Sequence, residues 1–246
     1  MFNLKLFRNI GVSLYLIIYL IIPNSARTQT LKVDLIKNLE NSLNKRDLEF
    51  IRKNFKNDEK ENIPKQFSKI INDFPDSKWK IKRLKSNIIN KDILRIQVSG
   101  AKIANEEIFI LESNFDYLFS IVNGKIDEGI IKNLFTTIRN DDKKIDISFK
   151  IPDKVLTGSK YDIDIILNKP LEEVIIAGGI KPHKVNSFFE QEILLEPLLS
   201  GGIFKMTRAP SKPGMQIWSG IIAHPEGILL SQRVLILLIS CRLSVV

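Results

Sequence analysis

The hydrophobic positions change period along the chain, and the change divides it. In "KVDLIKNLENSL", residues 32 to 43, Leu35, Ile36, Leu39 and Leu43 recur at helical spacing and make one apolar stripe. A polar break, "NKRD", follows. Asp47 is placed to cap a second helix, "LEFIRKNF", whose Leu48, Ile51 and Phe55 share a face. After the charged loop "KNDEKEN", Pro64 suits the first turn of a third helix with Phe67, Ile70, Ile71 and Phe74 on its buried side, and Pro75 stops it.

From "KWKIKRL" onward the period is two. "DILRIQVSG" alternates Leu94, Ile96 and Val98, "EEIFILESNFDYLFSIV" reads as a long strand, and Asn123-Gly124 is a tight-hairpin signal because both residues tolerate a positive φ. "IDEGIIKNLFTTIR" should return beside its neighbour. "RNDDKK", residues 139 to 144, is a charged connector, and a domain boundary is expected near Asn140. Beyond it lie short strand-like runs at about ten-residue spacing, the pattern of a β-sandwich: "KIDISFKI", "KYDIDIIL", "EVIIAGGI", "EILLEPLL", "QIWSGIIAH" and "GILLSQRVLILLI". The last is more apolar than a final sandwich strand usually reads.

The first half, on "DLIKNLENSLNKRDLEFIRKNF" with its Arg46-Asp47-Leu48 break and on "EEIFILESNFDYLFSIVNGKI", resembles the NTF2-like (SnoaL-like) superfamily. The second half, on "PDKVLTGSKYDIDIILNKPLEEVIIAGGI" and "IAHPEG", resembles the tail of exported, largely cyanobacterial proteins that join an NTF2-like domain to a sandwich. Together these imply an α+β class, with an NTF2-like cone of three helices on a curved antiparallel sheet at residues 31 to 138. An Ig-like β-sandwich follows at residues 144 to 241. The superfamily contains both enzymes and non-catalytic modules, so the resemblance supplies architecture and compartment and no catalytic residue.

The start of the chain adds a compartment. Lys5 and Arg8 precede an uncharged run from Ile10 to Ile22, then Pro23 and small residues, which is the order of a signal peptide spanning residues 1 to 26 with cleavage after Ala26. The run is shorter than the roughly 20 residues a membrane-spanning helix needs. The protein is therefore expected to be exported to a periplasm or thylakoid lumen; the alternative is an inner-membrane anchor made by an uncleaved leader. Cys241 is the only cysteine, so no internal disulfide can form. The formal charge is +9, and the excess lies before residue 141. Such a surface could meet anionic lipid or an acidic protein; nucleic acid is not expected in an exported protein.

Candidate chemistry is sparse. Asp162 and Asp164 alternate with Tyr161, Ile163, Ile165 and Leu167, which turns the acids outward and gives calcium too few ligands. Gly178 and Gly179 lack the G-x-G-x-x-G spacing that opens a phosphate-binding helix, and they read as a strand end or bulge. His183 and His224 stand in turn-like settings without the convergent ligands zinc needs. No metal or cofactor is expected. Asp116, among Phe115, Tyr117 and Phe119, is the most visible general-base candidate, but it shares the polar face of its strand with Glu112 and Asn114.

Trp79, Tyr117 and Phe119 are candidates to line a pocket for a small apolar ligand. Arg208, Lys212 and Trp218, in and just after "FKMTRAPSKPGMQIW", are candidates for a partner-binding loop. The expected function is a non-catalytic binding or accessory protein of the cell envelope that takes a small apolar ligand or an envelope protein. The alternative is an isomerase- or hydrolase-like enzyme with a carboxylate in the cone. Membrane contact is expected, if at all, through the leader or the basic surface.

Overall fold

A computed structural model describes residues 24–56, 62–140, 145–168, 176–183, 193–198, 201–225 and 227–238. The leader up to Pro23, most of the charged loop before the third helix, connector residues 141–144 and Cys241 lie outside this set. Among the described residues three helices come first: α1 (Asn24–Asn44), α2 (Leu48–Asn54) and α3 (Asn62–Asp73). None of the helices among the described residues is long and apolar enough to cross a membrane.

The break between α1 and α2 has a physical cause. Arg46 takes a positive φ of 61°, the Asp47 amide donates to the Ser42 carbonyl, and the Arg46 amide donates to that of Leu43, which closes α1 as a Schellman motif. The Asp47 carboxylate then accepts from the Phe50 amide at 2.9 Å and caps α2, as the sequence suggests.

Twelve strands follow among the described residues: β1 (Lys78–Lys85), β2 (Asp92–Ala104), β3 (Glu107–Val122), β4 (Lys125–Asn140), β5 (Ile147–Lys150), β6 (Lys154–Leu156), β7 (Lys160–Leu167), β8 (Ile176–His183), β9 (Glu196–Leu198), β10 (Gly202–Arg208), β11 (Gly214–His224) and β12 (Gly227–Leu238). Asn123 and Gly124, with φ of 52° and 76°, make the β3–β4 turn as expected. The β2–β3 turn uses Asn105 and Glu106, at 51° and 67°, without a glycine to announce it.

The expected α+β cone followed by a separate sandwich is corrected here, and the NTF2-like resemblance with it. The described residues are mainly β. Nine strands from both halves of the chain form one sheet, in the order β1-β2-β3-β4-β12-β11-β8-β9, with β6 alongside β12. Only β10, β7 and β5 make a second sheet. The sheet continues because β4 would otherwise end in unpaired backbone amides and carbonyls, and β12 satisfies them by pairing Leu229–Arg233 against Phe135–Arg139.

Two apolar cores lie on opposite faces of the shared strands. One holds Ile36, Leu39 and Leu43 of α1, Phe67 of α3, Trp79, Leu94, Phe115 and Leu134 of β1–β4, and also Ile217 and Val234 of β11 and β12. The other holds Phe149, Tyr161, Ile163 and Ile165 with Trp218, Ile222, Leu235 and Leu237. Successive residues of a strand point to opposite faces. Ile217 and Val234 therefore enter the first core while Trp218 and Leu235 enter the second. A strand buried on both faces reads as a continuous apolar run, which accounts for "VLILL" near the end of the chain.

The second half follows its expected alternation. Tyr161, Ile163 and Ile165 are buried, and Asp162 is exposed. Gly178 and Gly179 lie inside β8 rather than at its end, and a Cβ on Gly179 would come within 2.1 Å of the Leu194 carbonyl oxygen. The glycine there allows two backbones to approach.

Candidate functional site

The helix-covered face of the sheet carries a buried polar row that crosses from the first half of the chain to the second. In consecutive register, Trp79 faces Val98, Val98 faces Ser113, Ser113 faces Thr136, Thr136 faces Gln232, and Gln232 faces Ser219. The last four are all buried polar side chains. Ser113 Oγ and Thr136 Oγ1 share a hydrogen bond of 2.7 Å, and Gln232 Nε2 donates to Ser219 Oγ at 2.9 Å. Burying such groups is tolerated when they bond to one another.

Over the middle of this row, between α3, β3 and β4, lies a cavity of about 20 Å³. Gln66, Ser113 and Thr136 contribute its polar atoms, and Phe67 and Phe115 are among its apolar walls. That volume suits about one water molecule and falls far short of the several hundred cubic ångströms of a typical organic-ligand pocket.

Trp79, Tyr117 and Phe119 do not line this cavity. They are core residues at 3%, 4% and 0% exposure. Trp79 packs edge-on against Phe67, with ring centroids 5.2 Å apart, and Tyr117 stacks parallel to Phe119 at 6.3 Å. A Cβ on Gly129 would fall 1.4 Å from the Tyr117 hydroxyl, so the tyrosine occupies the space that the glycine leaves.

The acid near this face is Asp127, a residue the sequence reading did not single out. It is buried, and Lys56 Nζ meets its Oδ2 at 3.0 Å. Burial first, and the Asp127 charge second, push the Tyr117 phenol above its ordinary range. Asp116 lies on the opposite face, as its parity suggests. It accepts two bonds from Arg95, at 2.8 and 2.9 Å, and that pairing raises the Arg95 guanidinium further.

Of the loop candidates, Arg208 ends β10 and donates to the Gly158 carbonyl at 2.8 Å, and Lys212 is exposed on the β10–β11 connection. Trp218 is 2% exposed in the second core, and its indole N–H donates to the Tyr161 hydroxyl at 3.1 Å. The structure therefore does not gather these three into one surface. His183 is buried at the end of strand β8 rather than in a turn, and His224 ends β11 opposite Gly227. Among the described residues no three His, Cys, Asp or Glu side chains converge as a metal site.

The polar row has a signal in the sequence. Ser113 stands between Leu111 and Phe115, Thr136 between Leu134 and Ile138, and Ser219 between Ile217 and Ile221, each a polar residue in an apolar slot of period two. What the sequence lacks is the register that aligns these slots across strands about a hundred residues apart.

Residues 142–237 match the model of a family described as a domain of unknown function (DUF8623). The match covers β5 to β11 and nearly all of β12, that is, β6, β8, β9, β11 and β12 of the large sheet and all three strands of the second. No curated protein matches the chain.

Proposed function

We propose that this protein is a non-catalytic accessory protein of the cell envelope that engages a partner through its outer surfaces rather than by enclosing a ligand. The observation that carries the reading is the cavity of about 20 Å³ on the helix-covered face. It is large enough for a water and too small for an organic molecule. The polar row beneath it is largely paired within itself, and Asp127, the buried acid nearby, has its charge met by Lys56. The envelope location rests on the leader pattern of residues 1 to 26.

Native mass spectrometry of the protein purified gently from its own host tests this. The expected spectrum holds the bare chain or the chain with another protein. A reproducible adduct of small-molecule mass would contradict the reading and return attention to the space under α3.

A further inference from the structure

Two hairpin tips and the start of α1 meet at one end of the molecule. The β1–β2 turn is closed by the Lys91 amide donating to the Ile88 carbonyl at 3.2 Å, which puts Ile89 and Asn90 at its tip. Ile89 is 87% exposed and Ile88 is also exposed. Asp92, which follows this turn, faces Phe119 near the far end of β3, so the β3–β4 turn lies at the same end. There Val122 is another exposed apolar residue. Lys85 and Lys125 are exposed beside the two tips. Two acids near them are engaged: Asp92 pairs with Arg83 at 3.0 Å and Asp127 with Lys56 at 3.0 Å.

The direction of α1 brings the start of the chain to this end. Asn44 binds the backbone of Trp79, and Glu40 accepts from the Ile81 amide at 2.6 Å, so α1 runs antiparallel to β1. From Glu40 back to Asn24 a helix rises about 24 Å; from Ile81 on to Ile89 a strand covers about 26 Å. The helix therefore starts near the level of the isoleucine tip, and the apolar run Ile10–Ile22 directly precedes that start.

The opposite end offers a contrast. The β2–β3 tip also exposes an isoleucine, Ile103 at 78%, with Lys102 before it, but its turn carries Glu106 and β3 opens on Glu107. Exposed aliphatic residues ringed by lysines suit an anionic lipid surface, where the apolar groups enter the interface and the cations meet headgroups. A tip of mixed charge, with Glu106 and Glu107 beside Lys102, suits it less well.

We propose that the Ile88-Ile89 and Val122 tips, with Lys85 and Lys125, form a surface that rests on an anionic membrane, at the end of the molecule where α1 begins. This adds a lipid contact to the accessory role above and does not depend on which protein partner that role serves.

The test uses the mature chain, residues 27 to 246, with Cys241→Ser, carrying an environment-sensitive fluorophore at Ile89→Cys or, as the internal control, at Ile103→Cys. Each is mixed with vesicles of brominated phosphatidylcholine, with or without phosphatidylglycerol. The label at position 89 should be quenched several-fold more than the label at 103, and more strongly when phosphatidylglycerol is present. Adding Lys85→Glu and Lys125→Glu should lower quenching at 89 towards that at 103. Equal quenching at the two positions, quenching indifferent to phosphatidylglycerol, or a label at 89 that bromine does not reach would each overturn the proposal. Because both labelled sites are exposed tips, far-UV circular dichroism is expected to match the parent.

Discussion

Tyr117 shows how one side chain ties burial to a measurable pH response. Its phenol sits over Gly129 beside the buried Asp127, and both burial and that charge disfavour the phenolate. Below its ordinary value near 10 the phenol is protonated in folded and unfolded chains alike, so the shift leaves stability unchanged there. Above it the unfolded chain releases a proton that the folded chain keeps, and stability falls as pH rises towards the folded value. Tyr117→Phe should flatten the fall in urea midpoint between pH about 9.5 and about 11.5. Tyr161, raised by burial and partly lowered by the Trp218 N–H, supplies a smaller part of the same slope. A variant with the parent's slope would refute the assignment. At this scale much is legible in sequence: the Asp47 cap and the Asn123-Gly124 turn follow from local chemistry alone. Asp127 was not, because register shifts in the β3–β4 pairing break the simple alternation from which its burial could be read.

Among the elements, β12 decides the architecture. Asn140, the last residue of β4 and the expected domain boundary, is a junction. Its Oδ1 accepts from the Ile228 amide at 2.7 Å, its Nδ2 donates to Glu107 Oε2 at 2.7 Å, and it packs against Gly227. Gly227 holds a φ of 138°, where a side chain would be strained. Asn140→Ala should lower stability by about 1 to 2 kcal/mol, two lost hydrogen bonds at about 0.5 to 1.5 each, partly discounted for exposure. Chemical denaturation reads this directly, and an unchanged midpoint would contradict the junction role. The strand itself was visible in "GILLSQRVLILLI", and its excess apolarity was the trace of burial on two faces. Its partner was not visible, since nothing local says that residues 229 to 233 pair with residues 135 to 139.

At the scale of the whole molecule, the helices and the first four strands were readable from periodicity, and so was the run of short strands after residue 145. The error lay in joining them. A change of pattern at residues 139 to 144 suggested two folds side by side, whereas the backbone of β4 finds its neighbour in β12 and one sheet runs through both halves. The polar row Ser113, Thr136, Gln232 and Ser219 exists only because of that pairing, so no reading of either half alone could assemble it. Two cores back to back on shared strands should also unfold together, because opening either one strips a face of β11 and β12. The chain supplies its own reporters: of its two tryptophans, Trp79 lies in the first core and Trp218 in the second. The most direct measurement is urea unfolding of Trp79→Phe and Trp218→Phe, each followed by its remaining tryptophan and by far-UV circular dichroism. A single continuous sheet requires that, within each variant, fluorescence and circular dichroism give the same midpoint. A fluorescence transition separated from the circular dichroism transition in either variant would mean that the halves fold as independent units, and would contradict the account.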